Sequence, residues 1–186
     1  MHEKVYISFA DSIKKKQVKE FISTCNKAIQ DHSPKRLHIL FSSPGGDINL
    51  AFILLSFLKA IPVKIIMHGS GNIDSCGINV FLAGEQRFAV TGTTFLLHGA
   101  TRHFGKNDSF TVEKLYSEFI SLQKDQEKVT ANILANTAYS EEELKNNLML
   151  GLTLDTEQAK NKGIISEIKD ITMDKDTPFL QVNIHE

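Results

Sequence analysis

The sequence has no tryptophan, almost no cysteine, and no real excess of either charge. Its two cysteines, Cys25 and Cys76, cannot build a disulfide framework, which fits a reducing compartment. Lys and Arg total 21 against 22 Asp and Glu, a formal net charge of −1. No global basic field therefore attracts nucleic acid or an anionic membrane. The one basic run, Lys14-Lys15-Lys16, reads as a solvated helix start rather than a binding patch. Long hydrophobic runs are missing too. The most apolar stretch, residues 50–58, stops at Lys59, well short of the ~20 residues a bilayer span requires. The N-terminal MHEKVYIS has no signal-peptide core, so the expectation is a soluble, cytoplasmic protein. HExxH, CxxC and clustered carboxylates are absent, which speaks against a metal site, and no Walker-type loop or GxGxxG is there to hold a nucleotide cofactor. No internal repeat or low-complexity tract interrupts the chain.

What is present is an alternation of strand-like and helix-like segments. With 186 residues and 41% hydrophobic content the chain can bury one sizeable core, and a single domain over 1–186 is expected. Residues 5–9 read as a first strand, rich in β-branched and aromatic side chains. Asp11 or Ser12 is placed to cap a helix whose Val18, Phe21, Ile22, Cys25 and Ile29 fall at helical spacing. Residues 37–41 form a short buried strand that runs into SSPGGD, with Asp47 capping a helix apolar on nearly all sides. Pro62 closes that helix, residues 63–68 are the next strand, and a glycine-rich turn leads to Ser75 and a short helix. RFAV and TFLLH follow as strands. The alternation predicts an α/β fold, repeated β-α units on a parallel-type sheet with right-handed crossovers. A loop over 102–109 precedes a long helix, about 111–136, whose Val112, Leu115, Phe119, Leu122, Val129 and Ile133 form a coiled-coil-like seam. That spacing suits a helix packed on its own domain and one reaching toward another subunit equally. Ser140 to Glu143 and Asp155 to Gln158 read as capping boxes, 152–154 and IISEI as brief strands, and the tail 169–186 carries no readable pattern.

A serine hydroxyl attacks only when a base takes its proton and nearby dipoles hold the charge that develops. Ser75 sits among small residues, Gly69, Ser70, Gly71 and Gly77, at the start of a helix, so backbone and substrate can approach closely. The N–H of Cys76 is one candidate oxyanion donor, and that of Gly46 in the SSPGG turn is a second. His98 closes the TFLLH strand at the sheet end where ligands enter α/β folds, and is the candidate base. His68 and His103 compete for that role. Taken singly, these residues have plainer readings: Ser75 as a helix N-cap, His98 as a structural strand-end histidine.

In order and spacing together, the motifs resemble those of the Clp protease proteolytic subunit family. SSPGGD at 42–47 resembles its N-S-P-G-G-S turn, and GNIDSCG at 71–77 its G-M-A-A-S-M-G nucleophile segment. LAGEQRFAV resembles L-A-A-G-x-x-x-K-R-x-A-L, FLLHGA resembles V-M-I-H-Q-P, and LDTEQAKNKGIISEI resembles S-A-x-E-A-x-E-Y-G-L-V-D. The resemblance covers residues 5–168. It implies a ClpP/crotonase-like fold with a protruding handle helix, Ser75 as nucleophile, His98 as base, and oxyanion N–H groups from Gly46 and Cys76. It also implies homo-oligomeric rings stacked through the handle, acting on peptides or unfolded proteins.

Two features depart from the family pattern. Counting back from Gly163, the family's triad aspartate falls on Gly151, which has no side chain. Asp155 is the nearest carboxylate in sequence, but helix capping explains it better, and the third triad member stays unassigned. The sequence also starts about where the family's first strand starts, so the axial segment that meets an ATPase unfoldase is not expected. The reading is a serine-type endopeptidase without an identified triad acid. Its alternatives are a catalytically impaired ClpP-like assembly partner and a crotonase-type acyl-CoA enzyme, the last disfavoured because such enzymes need neither Ser75 nor His98.

Overall fold

Strand β1 (Lys4–Ala10) pairs in parallel with β2 (Arg36–Ser43), and β2 with β3 (Lys64–Asp74). The computed structural model describes residues 3–106 and 108–182; one position of the expected 102–109 loop, and 183–186 of the expected tail, lie outside it. The period-2 alternation of β1 and β2 turns Val5, Ile7, Phe9, Leu37, Ile39 and Phe41 to one buried face. Helix α1 (Lys15–His32) adds Val18, Phe21, Cys25 and Ala28 to this core, and α2 (Ile48–Ala60) adds Ala51, Leu54, Leu55 and Leu58. Phe9 stacks on Phe41 (centroids 5.4 Å apart) and meets Phe21 edge-on at 5.3 Å. Asp47 caps α2 as expected, accepting from Leu50 N–H, although Ile53 of that helix stands half-exposed.

The capping expectation for α1 is not met. That helix begins behind an extended Lys14 that makes no side-chain cap. Asp11 instead accepts from the N–H and hydroxyl of Ser12, and Ile13 is diverted into a β-bridge with Gly46. Bracing that turn competes with an earlier helix start and wins.

The glycine-rich stretch before Ser75 is likewise not a turn but the second half of β3. Between the pairs Phe41↔Gly69 and Ser43↔Ile73 the register slips, a bulge that places extra β3 residues opposite Ser42. Beyond it β3 changes partner, from β4 (Gln86–Ala89) to β5 (Thr94–Leu97). Ser75 therefore emerges beside β5, and α3 (Cys76–Phe81) follows at once.

Helix α4 (Val112–Asn136) divides into halves. Val129 and Ile133 are buried against the domain, whereas Val112, Leu115, Tyr116 and Phe119 are exposed. Helix α5 (Glu141–Leu150) starts at Ser140, whose hydroxyl accepts from Glu143 N–H, but the Glu143 carboxylate pairs with Lys162 rather than closing a box. Strand β6 (Leu152–Leu154) runs antiparallel to β5, and α6 (Thr156–Asn161) carries a complete Asp155/Gln158 capping box. The expected IISEI strand shrinks to β7 (Glu167–Ile168), because Ile164 and Ile165 turn into the core instead. The tail returns as β8 (Phe179–Gln181) alongside β1. The eight-stranded sheet has the order β6-β5-β3-β2-β1-β8, with β4 joining β3 to β7. No helix among the described residues is long and apolar enough to cross a membrane.

Candidate active site

Two tight turns meet at the C-terminal ends of β2 and β3. The first, after β2, is braced by the segment preceding α1: Ile13 N–H donates to Gly45 O (2.8 Å) and Asp47 N–H donates to Ile13 O (3.0 Å). Gly46 has φ 151°, and a Cβ there would fall on the Ile13 carbonyl, so the position requires glycine. Among the described residues no backbone carbonyl accepts the exposed Gly46 N–H.

The second turn is Ser75 itself, at φ 57° and ψ −132°. A serine held there carries local strain of about 1–3 kcal/mol. Its N–H donates to Leu96 O (2.8 Å), which ties the turn to β5. Ser75 occupies the N-cap position of α3 by backbone, yet its hydroxyl makes no capping hydrogen bond. The two turns are in contact: a Cβ on Gly45 would lie 2.8 Å from Ser75 Cβ and 3.3 Å from Ser75 Oγ. Cys76 follows with its thiol donating to Gly46 O (3.4 Å), and burial pushes that thiol up to about 11, so it stays neutral.

Strands β3 and β5 run parallel with Asp74 opposite Leu96, so Ser75 and His98 leave the same end of neighbouring strands. The His98 ring is half-buried, with Nδ1 2.7 Å from Gly99 O. A carbonyl only accepts, so Nδ1 carries a proton, and in the neutral ring the lone pair then falls on Nε2. The segment after the ring is pinned by Gly99 N–H on Leu148 O (2.9 Å) and Ala100 N–H on Gln126 Oε1 (2.6 Å). Among the described residues no hydrogen bond joins Ser75 Oγ to the His98 ring.

The β5–β6 register pairs Leu97 with Leu152 and Phe95 with Leu154. Continued by one residue each way, it sets Gly151 opposite His98 and Asp155 opposite Thr94. Asp155 is thus about 13 Å from His98 along the strand at ~3.3 Å per residue, with its carboxylate accepting from Gln158 N–H (2.8 Å). Gly151 closes α5 in a left-handed conformation, its N–H on Asn147 O (3.0 Å). Of the competing histidines, His68 is buried on the far face of the sheet with Nε2 2.9 Å from His38 Nδ1, and His103 is exposed in the loop after β5.

A cavity of about 210 Å³ opens directly beside Ser75 and Gly46, with Asp47, Arg102 and Asp125 in its wall. A larger one, about 790 Å³, lies at the opposite ends of the strands among Lys35, Lys64 and Glu85. Its rim is tied up in Lys35 and Arg36 pairing with Glu3, and it holds no nucleophile. Among the described residues no three metal-ligating side chains converge.

A family model described as Clp protease matches residues 1–172. The chain belongs to the Clp protease family. Its relatives include the ATP-dependent Clp protease proteolytic subunit 2 of Treponema pallidum, 24% identical over 136 residues. Another is the proteolytic subunit 3 of Rhizobium etli, 27% identical over 146 residues, which cover 76% of this chain and 72% of that protein. The Treponema match covers 72% of this chain, which spans 66% of that relative's length and 65% of a similar subunit 2 from Pseudomonas aeruginosa. A solved ClpP1 variant from Listeria monocytogenes aligns with a TM-score of 0.76 at 22% identity, over 91% of this chain and 92% of that one. The fold is ClpP-like, as the sequence motifs implied.

Three features of this Clp family chain had no sequence signal. The Gly99 carbonyl on His98 is a backbone group, and no residue type announces it. Ile13 braces the Gly46 turn from a stretch that reads as a helix start. The Arg102–Asp125 pair beside Ser75 joins a loop to a distant helix.

Proposed function

We propose that the chain is a serine peptidase of the Clp type, in which Ser75 attacks the peptide carbonyl and His98 handles its proton. The observation that carries this reading is the strained Ser75 turn: a hydroxyl not engaged in capping, pressed against Gly45 and flanked by the free Gly46 N–H. As Ser75 Oγ adds to the carbonyl carbon, His98 Nε2 takes its proton and the N–H groups of Gly46 and Cys76 hold the oxyanion. Collapse breaks the C–N bond, with His98 donating the proton to the leaving amine. Water then releases the acyl group by the same steps in reverse order.

In place of a triad carboxylate, the Gly99 carbonyl fixes the His98 tautomer. A neutral acceptor stabilises the imidazolium less than a carboxylate does, and loss of the acid costs on the order of 10⁴ in rate in well-studied triads. Slow turnover follows. Gly151, opposite His98 without a side chain, also favours a second reading, an impaired subunit that serves assembly. Both readings include homo-oligomeric rings stacked through the exposed half of α4, and peptides or unfolded chains as substrates. The buried free cysteines suit a reducing, cytoplasmic setting.

The test is hydrolysis of unstructured fluorogenic peptides by the wild type, Ser75→Ala and His98→Gln. The peptidase reading expects slow turnover that falls by about 100-fold or more in both variants. Full activity in Ser75→Ala would remove the assignment, and an inert but assembled wild type would favour the assembly role.

A further inference from the structure

We infer that the cavity beside Ser75 is a specificity pocket for a basic side chain, lysine or arginine, on the residue whose carbonyl is attacked. The inference rests on Ser75 being the nucleophile. With the acyl carbon on Ser75 Oγ and its oxygen at the Gly46 N–H, the side chain of that residue branches one bond away. The cavity that has both Ser75 and Gly46 in its wall receives it, and about 210 Å³ accommodates one long side chain.

The rest of the wall is mostly polar: Asp47, Asn49, Thr101, Arg102 and Asp125. An apolar guest would displace water from these groups and return no hydrogen bond. Arg102 does not offer a free positive charge. Its guanidinium donates to Asp125 Oδ2 (3.2 Å) and Ser121 Oγ (3.1 Å), and its Nε lies 3.7 Å from Glu118. Lys128 is engaged as well, with Nζ 3.1 Å from Asp125 Oδ1 and 3.3 Å from Asn49 Oδ1. Asp47 differs. Its carboxylate accepts the Leu50 N–H (2.9 Å), and among the described residues it has no ion-pair partner. Asp47, Glu118 and Asp125 are balanced by Arg102, Lys128 and Lys114, which lies 2.8 Å from Glu118, but all three cations sit on Glu118 or Asp125, and among the described residues Asp47 is the carboxylate of this group left without one. A guest ammonium or guanidinium pairs with it, whereas a guest carboxylate is repelled.

The experiment uses diphenyl phosphonate probes with a lysine-like, leucine-like or glutamate-like side chain at the reacting position. Inactivation rate constants are read by intact mass on the assembled wild type and on Asp47→Asn. Asparagine caps a helix as well as aspartate does, so the variant removes the charge and keeps α2. The basic probe is expected to react about tenfold faster than the other two, and Asp47→Asn to shrink its advantage over the leucine probe by about the same factor. A faster leucine or glutamate probe, or a ratio unmoved in Asp47→Asn, overturns the pocket while labelled Ser75 upholds the nucleophile. Failure of all three probes and of a small fluorophosphonate overturns both.

Discussion

Replacing Gly151 by aspartate bears directly on how His98 is oriented. Directly opposed residues of an antiparallel pair have Cβ atoms about 4.5–5.5 Å apart, and the β5–β6 register, continued one residue past Leu97↔Leu152, sets residue 151 against His98. A carboxylate on that Cβ comes within hydrogen-bonding reach of the imidazole. A Cβ at this position meets no heavy atom within 4 Å, so nothing has to move. The cost is the backbone, φ 71° and ψ 60°, about 1–2 kcal/mol for a residue with a side chain and least for Asp and Asn. The gain comes from a charged acceptor competing with Gly99 O for the Nδ1 proton and stabilising the imidazolium. Triads without their acid lose on the order of 10⁴, so recovery of half that free energy gives a kcat gain of roughly 10². The assay is peptide hydrolysis by the wild type, Gly151→Asp and Gly151→Asn, with folding checked by circular dichroism. Asparagine tolerates the same backbone but brings no charge, so it gains nothing. A folded Gly151→Asp no faster than the wild type, or an equal gain in Gly151→Asn, would refute the reasoning.

Arg87 is half-buried and donates to the carbonyls of Gly84, Asn136, Gly163 and Ile164, stitching β4 to the ends of α4 and α6. Arg87→Met should cost about 3 kcal/mol and lower Tm by roughly 10 °C; a calorimetric shift under 2 °C on the order of scatter would contradict it. Burial, with neighbouring charge from His68, Lys4 and Arg36, holds His38 down to about 4, and burial with Lys169 does the same for His68. Folded values below the ordinary 6.5 mean that the unfolded chain binds these protons first, so stability is full above about pH 6.5 and falls as pH drops toward 4. After allowance for solvent screening, His68 contributes about 2 kcal/mol of that loss. Urea midpoints from pH 7.5 to 4.5 should show it, and His68→Phe should flatten the profile; an unchanged slope would count against the pair. Charged substitutions Leu115→Glu and Phe119→Glu, both at exposed positions, should split the assembly into smaller species in sedimentation velocity while leaving the monomer folded. Unchanged mass would sink stacking through α4.

The fold was legible wherever period and punctuation agreed. The alternation in β1 and β2, the Asp47 cap and the bounds of α4 follow directly from side-chain pattern, because local chemistry and burial favour the same answer there. It was illegible where a distant group decides. Ile13 looks like part of a helix start until the Gly46 turn recruits it. The glycines before Ser75 look like a turn, yet neighbouring strands on both sides hold them in β3 across a bulge. The tail has no pattern of its own, and the open edge of β1 orders it as β8. At the candidate site, Ser75, His98 and Gly46 are candidates picked by residue type and order. The hydrogen-bond partner of His98 was not, since any residue offers a carbonyl.

The central claim is that Ser75 is an activated nucleophile, and covalent labelling by a fluorophosphonate with peptide mapping tests it most directly. The account predicts a single adduct on Ser75, absent in Ser75→Ala and formed far more slowly in His98→Gln. A folded, assembled protein that takes up no label, or takes it up on another residue, would contradict it.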